Sequence, residues 1–171
     1  MANPVIVLDY APNWPGLFQS LRKRVAGALG DMATAIEHVG STAVPDLPAK
    51  PIIDIDVLLA SETMLPTAVE RLASLGYIHQ GNLGIAEREA FLAPDNDPPH
   101  HLYVCPPCSA EFRRHMAFRD YLCAHPKDAK IYGDLKITLA ERFREDRSAY
   151  NNAKSEFVTE LTNRAIATQK K

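Results

Sequence analysis

The chain has 171 residues, 46% hydrophobic and 23% charged, with a formal net charge of −2, which is the make-up of one ordinary globular domain with a core of its own. That balance gives no bulk electrostatic reason to bind nucleic acid, and no apolar run approaches the roughly 18–20 residues that a bilayer crossing needs. The start, MANPVIVLDY, lacks the basic opening and long apolar stretch of a secretion signal, so a cytoplasmic location is expected.

In chain order, Val5–Tyr10 reads as a short strand or an extended lead-in, and Pro15 suits the first turn of a helix. Leu17, Phe18, Leu21, Val25, Ala28 and Leu29 keep helical spacing, and Gly30 closes that helix. Thr34–Val39 reads as the first core strand, delivering Gly40-Ser41 at its end. Pro45, Pro48 and Pro51 make the next connection irregular. Pro51–Leu59 is β-branched and apolar, as a central strand would be. A helix from Glu62 or Thr63 through Leu75 is closed by Gly76. Tyr77–Gln80, Gly84–Leu92 and His100–Cys105 are the remaining strand candidates, with Pro94–Pro99 a turn-rich loop before the last. Ser109 can N-cap a helix to about His125, Pro126 breaks it, and Lys127–Phe143 and Asp146–Ala167 form two more. The change of character after Pro107 predicts one α+β domain, with a mixed sheet core over residues 1–107 and a helical part over 108–171.

The chemistry centres on Glu37–Leu59, EHVGSTAVPDLPAKPIIDIDVLL. Alternate side chains of a strand share a face, so Asp54 and Asp56 point one way while Ile53, Ile55 and Val57 point the other. Two carboxylates roughly 7 Å apart suit a divalent cation, since Mg²⁺ takes one or two protein carboxylates plus phosphate oxygens. The preceding Gly40-Ser41-Thr42 turn offers backbone N–H groups and two hydroxyls to an anion. In HHLYVC, His101, Tyr103 and Cys105 share a face. If that strand borders the Asp54 strand, His101 stands beside the aspartates as metal ligand or general base, or is a half-buried, hydrogen-bonded strand residue.

Three basic residues fall at helical spacing on inward-facing stripes, namely Arg119 after Met116, Lys136 after Tyr132 and Lys154 after Tyr150. Together they imply an acidic partner inside the fold, either the aspartates or a bound polyphosphate, or else a set of buried ion pairs. Lys50, which reaches either phosphate or solvent, and more weakly Arg88 are candidates of the same kind, and His38 beside Gly40 orients the turn, contacts a ligand or is a buried, hydrogen-bonded histidine. Asp9 and Glu37 are possible third carboxylates. Cys105 and Cys108 form CPPC. With two prolines between them and no second pair of ligands at zinc spacing, a strand end and loop is the better reading than a redox or zinc site.

These stretches resemble the GrpB family, whose members occur alone and also fused to dephospho-CoA kinase. The resemblance lies in YAPNWPGLF (Tyr10–Phe18), EHVGSTAVPDLPAKPIIDIDV (Glu37–Val57), LGY (Leu75–Tyr77), HHLYV (His100–Val104), FRDYL (Phe118–Leu122), Tyr132 with Leu135-Lys136, and Tyr150 with Lys154. It implies a nucleotidyltransferase-like α+β fold, a mixed sheet with C-terminal helices. In that superfamily a Gly-Ser motif and an Asp-x-Asp strand hold a metal-complexed nucleoside triphosphate, and here Gly40-Ser41 and Asp54/Asp56 match them. The superfamily's usual third carboxylate is missing, for His101 and Tyr103 stand on the candidate strand.

The resulting expectation is a protein that binds Mg²⁺ (or Mn²⁺) with a nucleoside triphosphate or other phosphorylated small molecule. It would transfer a nucleotidyl group to an acceptor. Asp54, Asp56 and His101 would serve metal and chemistry, and Gly40, Ser41, Thr42, Lys50, Arg119, Lys136 and Lys154 the phosphates. His38, Arg88 and Tyr103 are secondary. The alternative is a non-catalytic nucleotide- or metabolite-binding module linked to coenzyme A metabolism.

Overall fold

The computed structural model describes residues 4–169. Five strands, β1 (Ala33–Val39), β2 (Ile53–Leu59), β3 (Ile78–His79), β4 (Glu89–Leu92) and β5 (His100–Cys105), form one sheet in the order β1-β2-β5-β4-β3. The β2–β5 pair is parallel and the others are antiparallel, so the sheet is mixed. Five α-helices accompany it: α1 (Trp14–Leu29), α2 (Leu65–Ala73), α3 (Ala110–Ala124), α4 (Pro126–Arg142) and α5 (Arg147–Gln169). None of the described helices is long and apolar enough to cross a membrane.

Strand alternation divides the protein into an apolar and a polar side. On one face Ile53, Ile55, Val57, Leu102 and Val104 pack with Trp14, Phe18, Leu21, Val25 and Leu29 of α1 and Ala68 and Leu72 of α2. The α1 residues recur every three or four positions, which lays one stripe of the helix on the sheet. Each fully buried aliphatic or aromatic side chain there contributes about 1.5–3 kcal/mol. The other face carries Asp54, Asp56, His101 and Tyr103. Helices α3, α4 and α5 cover it, and they have their own core around Val44, Leu47, Ala117, Leu122, Tyr132 and Leu161.

Most predicted elements form within a few residues of their predicted ends. Ser109 caps α3 by accepting from the Phe112 N–H at 3.1 Å, and Pro126 opens α4. Val5–Tyr10 is a lead-in rather than a regular strand, tied down by the bridge from Leu8 to Ala49 and by the Val5 N–H donating to the Arg144 carbonyl at 2.7 Å. One expectation fails. Gly84–Leu92 is a strand only from Glu89, because Leu83, Gly84 and Glu87 adopt positive φ, which an extended strand does not accommodate. Predicted Glu62–Leu75 begins as a 3₁₀ turn and becomes α-helical at Leu65, after Ser61 caps the turn.

Gly133 shows how closely α4 docks. A Cβ there would lie 2.9 Å from Cδ of Pro48, in the loop leading to β2. Alanine gains about 1 kcal/mol of helix propensity over glycine, while overpacking a tight contact typically costs about 1–3 kcal/mol. Because the pyrrolidine ring cannot swing aside, the steric cost prevails. Gly133→Ala is expected to lower stability by about 1 kcal/mol, or about 2–4 °C in Tm for a chain of this size. A rise in Tm would show that α4 is not held this tightly.

Candidate functional site: a lysine-lined cavity over two aspartates

The site begins at the end of β1. Gly40 has φ 71°, in the left-handed region that glycine enters at least cost. It must also lack a side chain, because a Cβ there would collide with the Asp54 carboxylate. The turn that follows, Ser41–Ala43, is a single 3₁₀ turn. Beneath it His38 stacks on Phe18, ring centroids 4.7 Å apart, and its Nε2 lies 2.9 Å from Thr42 Oγ1. Thr42 in turn donates to the Ile52 carbonyl at 3.4 Å, so His38 Nε2 is the donor to Thr42. Both residues orient the turn.

The parallel register places Asp54 opposite His101 and Asp56 opposite Tyr103. His101 Nδ1 lies 2.7 Å from Asp54 Oδ1, well within the distance a shared site requires. Beside the aspartates a cavity of about 350 Å³ is lined by Ser41, Lys50, Asp54, His101, Lys136 and Lys154 among others. Lys136 is only 2% exposed. Its Nζ donates to Ser41 Oγ at 2.8 Å and lies 4.5 Å from the Tyr132 ring centroid. Lys154 and Lys50 flank the Tyr150 ring at 4.9 and 5.5 Å. Burial depresses all three ammonium groups, aided by the neighbouring lysines at Lys136 and Lys154 and by Arg147 at Lys50, taking Lys136 to about 7 and Lys154 to about 8. No ion pair joins any of them to a carboxylate among the described residues.

Asp56 differs from Asp54 in being fully buried and absent from the cavity wall. Its Oδ2 accepts from His115 Nδ1 at 2.7 Å, and the far nitrogen of that ring lies 3.1 Å from Glu111 Oε1. Held between two carboxylates, the imidazole is raised to about 9 despite its burial, so His115 is a cation at neutral pH. Sequence reasoning missed this pair. Its signal was the Glu111–His115 spacing of four, which puts a carboxylate and an imidazole on one helix face.

A divalent cation suits the donors that remain. Asp56 Oδ1 is buried without a hydrogen-bond partner, and Asp54 engages His101 through Oδ1 alone. Two carboxylates with an oxygen to spare match Mg²⁺ or Mn²⁺, which complete their shells with phosphate and water. His101 fits less well as a further ligand, since its Nδ1 is directed at Asp54. Among the described residues no group of three or more His, Cys, Asp or Glu side chains is placed to hold a metal.

Other expected members of the site lie elsewhere. Arg119 does not line the lysine cavity, because its guanidinium binds Glu37 at 2.8 Å, Asp120 and the His38 carbonyl. Glu37 is the register partner of Asp56 on β1, so a third acid does face this side but is held by Arg119. Arg88 stacks over Tyr103, 4.2 Å from the ring centroid, and borders a separate cavity with Glu87 and Glu89. Asp9 lies by another groove. Cys105 is buried at the end of β5, its thiol pushed up to about 12 by desolvation, and Cys108 is exposed in the following loop.

Burial holds His38 neutral, lowering its pKa from 6.5 to about 4. The unfolded chain takes up this proton near 6.5 and the folded chain only near 4, so stability falls as pH drops through that window. The loss attributable to His38 is expected to reach about 3 kcal/mol. Denaturant unfolding at pH 7 and pH 4.5 should show it in the native protein, and His38→Gln, which keeps a donor for Thr42, should lose less on acidification. An equal loss in both would exclude His38 as the source.

Comparison with known proteins places this geometry. The profile of the GrpB protein family matches residues 4–164. A UPF0157 protein of Pseudomonas aeruginosa is 39% identical over 167 residues, covering 94% of this chain and 67% of its own. A dephospho-CoA kinase of Mycolicibacterium paratuberculosis is 25% identical over 187 residues, covering 95% of this chain but only 46% of the kinase. The crystal structure of the conserved protein GrpB from Enterococcus faecalis superposes with a TM-score of 0.89 at 29% identity, over 97% of this chain and all of the other. The Cid1 poly(U) polymerase shares the fold at a TM-score of 0.56 and 12% identity, over 80% of this chain and 44% of the polymerase. The chain therefore belongs to the GrpB family, and its mixed sheet with C-terminal helices has the nucleotidyltransferase-like fold.

Proposed function

We propose that the lysine-lined cavity binds a nucleoside triphosphate, or a phosphorylated small molecule of the same chemistry, with Mg²⁺ or Mn²⁺. From it the protein transfers a nucleotidyl group to an acceptor. One observation carries the reading: Lys50, Lys136 and Lys154 converge on a cavity walled by Asp54, without carboxylate partners. Ammonium groups removed from water without counter-ions are destabilised, and bound phosphates would supply the missing charge. Ser41, already bonded to Lys136, would donate its hydroxyl to a phosphate oxygen. Asp54 and Asp56 would hold the metal, which neutralises phosphate charge and polarises the phosphoryl group. His101 has its Nδ1 fixed on Asp54 and its ring on the cavity wall, so Nε2 stands to take the proton of an acceptor hydroxyl.

A second reading rests on the way the acids are already satisfied. His115 holds Asp56 and Arg119 holds Glu37, which favours a module that binds a nucleotide or metabolite without transfer. A module of this kind would suit an accessory role in coenzyme A metabolism, a reading that the likeness to part of a dephospho-CoA kinase supports. Incubation with α-labelled triphosphates and a metabolite extract separates the two, since a pure binder leaves no labelled product.

Both readings require the cavity to bind. Each of the four triphosphates with Mg²⁺ is to be tested by thermal unfolding. At a hundredfold excess over Kd, a binding ligand stabilises by about 2.7 kcal/mol, and Asp54→Asn should abolish the metal-dependent part. No shift with any triphosphate would remove the nucleotide form of both readings.

The lysines also set a pH signature. Only the protonated amines attract phosphate, and with Lys136 at about 7 and Lys154 at about 8 that population falls as pH rises through this interval. Affinity should therefore decline from pH 6.5 to 9. Calorimetry near pH 7.5 in buffers of different ionisation heat should register proton uptake on binding, diminished in Lys136→Met. Flat affinity across the interval would show that these amines do not face the ligand.

A further inference from the structure

We infer that the ligand continues past Asp54 into a second cavity, between α3 and α5, which takes its nucleoside. We further infer that Glu111 there favours a base presenting N–H donors, guanine above adenine. The inference rests on the triphosphate reading above and adds to it the identity of the ligand's other end.

The second cavity has a volume of about 250 Å³ and shares Ser41, Asp54 and Lys154 with the first. One extended molecule can therefore occupy both, with its junction at Asp54. The two chambers differ in chemistry. The first presents three lysines. The second has Phe118 and Val158 as half-buried walls, with Glu111, Arg114 and His115 beside them. It suits phosphate less than the first chamber does, because the Glu111 and Asp54 carboxylates offset the charges of Lys154, Arg114 and His115. The hydrogen bond from His115, helped by the charges of His115 and Arg114, lowers the pKa of the Glu111 carboxyl against the opposing effect of burial and keeps it ionised.

A flat ring with a polar edge satisfies both kinds of wall. Phe118 supplies an aromatic surface and is itself braced edge-on by Tyr132, centroids 5.6 Å apart at 89°. Base–aromatic stacking tolerates any base, so Phe118 provides affinity without choosing among them. The choice falls to Glu111. Its carboxylate accepts one bond from His115 at 3.1 Å, and Arg114 Nε stands 3.6 Å away, which leaves lone pairs free among roughly four acceptor positions. Guanine offers adjacent N1–H and N2–H donors to such an acceptor. Adenine presents a ring-nitrogen acceptor at the corresponding position, which a carboxylate opposes.

Inorganic tripolyphosphate separates the two chambers, because it fills only the first. Titration calorimetry with Mg²⁺ should show GTP binding about tenfold more tightly than tripolyphosphate and more tightly than ATP. Phe118→Leu should erase most of the GTP margin while leaving tripolyphosphate unchanged, and Phe118→Tyr, which keeps the ring, should retain it. Glu111→Gln should bring GTP and ATP closer together. Equal binding of GTP and tripolyphosphate, or an equal loss of both in Phe118→Leu, would overturn the nucleoside subsite with the phosphate site intact. A GTP-to-ATP ratio near one in the native protein would remove the role of Glu111. Failure of tripolyphosphate to bind at all would instead take down the triphosphate reading, and this inference with it.

Discussion

The approach of the Asp54 carboxylate to Gly40 is the contact on which the site's geometry depends. It brings the acid of β2 against the backbone leaving β1, so closely that no side chain fits at position 40. That closeness makes one site of two segments. Asp54 supplies the negative wall and Ser41, one residue on, meets Lys136 from α4. The turn cannot relax outward, because His38 and Thr42 tie it to the end of the loop before β2. The mixed sheet contributes its second constraint through the parallel β2–β5 register, which sets His101 and Tyr103 beside the two acids. Helices α3 to α5 then close over a face that already has its charges in place.

Those charges are distributed unevenly. The carboxylates on the polar face have cationic or hydrogen-bonding partners from the protein: Asp54 with His101, Asp56 with His115, Glu37 with Arg119. Among the described residues the three lysines of the cavity have no carboxylate partner, and Lys136 has only the Ser41 hydroxyl. Protein interiors tolerate charge when it is paired and fully hydrogen-bonded, so the unbalanced charge of the polar face lies with the lysines of the cavity rather than with the buried acids. A Tyr132 or Tyr150 ring beside an ammonium offers a weaker substitute. It softens the cost of burial without neutralising the charge.

Much of this was legible in the residues, and the parts that were not have physical reasons. Alternation in IDIDV and HHLYVC fixes which side chains share a face, and the shared face is observed. Periodicity placed Lys136 and Lys154 on inward stripes, because a lysine one turn from an apolar anchor has few other places to go. The same argument misplaced Arg119. Periodicity gives the direction in which a side chain leaves the helix but not which charge it meets first, and Glu37 on β1 lies nearer than the cavity. His115 escaped because α3 has little amphipathic contrast, so its inward face is defined by polar contacts to Asp56 rather than by an apolar stripe. Positive φ at Leu83 and Glu87 ended the predicted strand there, at non-glycine residues whose types do not announce it.

The two histidines that meet the aspartates of β2 show how one motif supports two different roles. Each directs Nδ1 to a carboxylate at 2.7 Å. His115 is then closed off by Glu111 on its other nitrogen, so it carries its proton at neutral pH and sets a positive charge against Asp56. His101 has no such second acid, and its side chain stays 39% exposed along the cavity. An imidazole with one nitrogen fixed and the other facing a cavity can exchange a proton with a ligand, whereas one held between two carboxylates cannot. The difference in second partners therefore leaves the His101 ring open to the cavity and gives His115 the part of balancing the charge of Asp56. It also explains how Asp56 remains buried without solvent, while Asp54 alone faces the cavity.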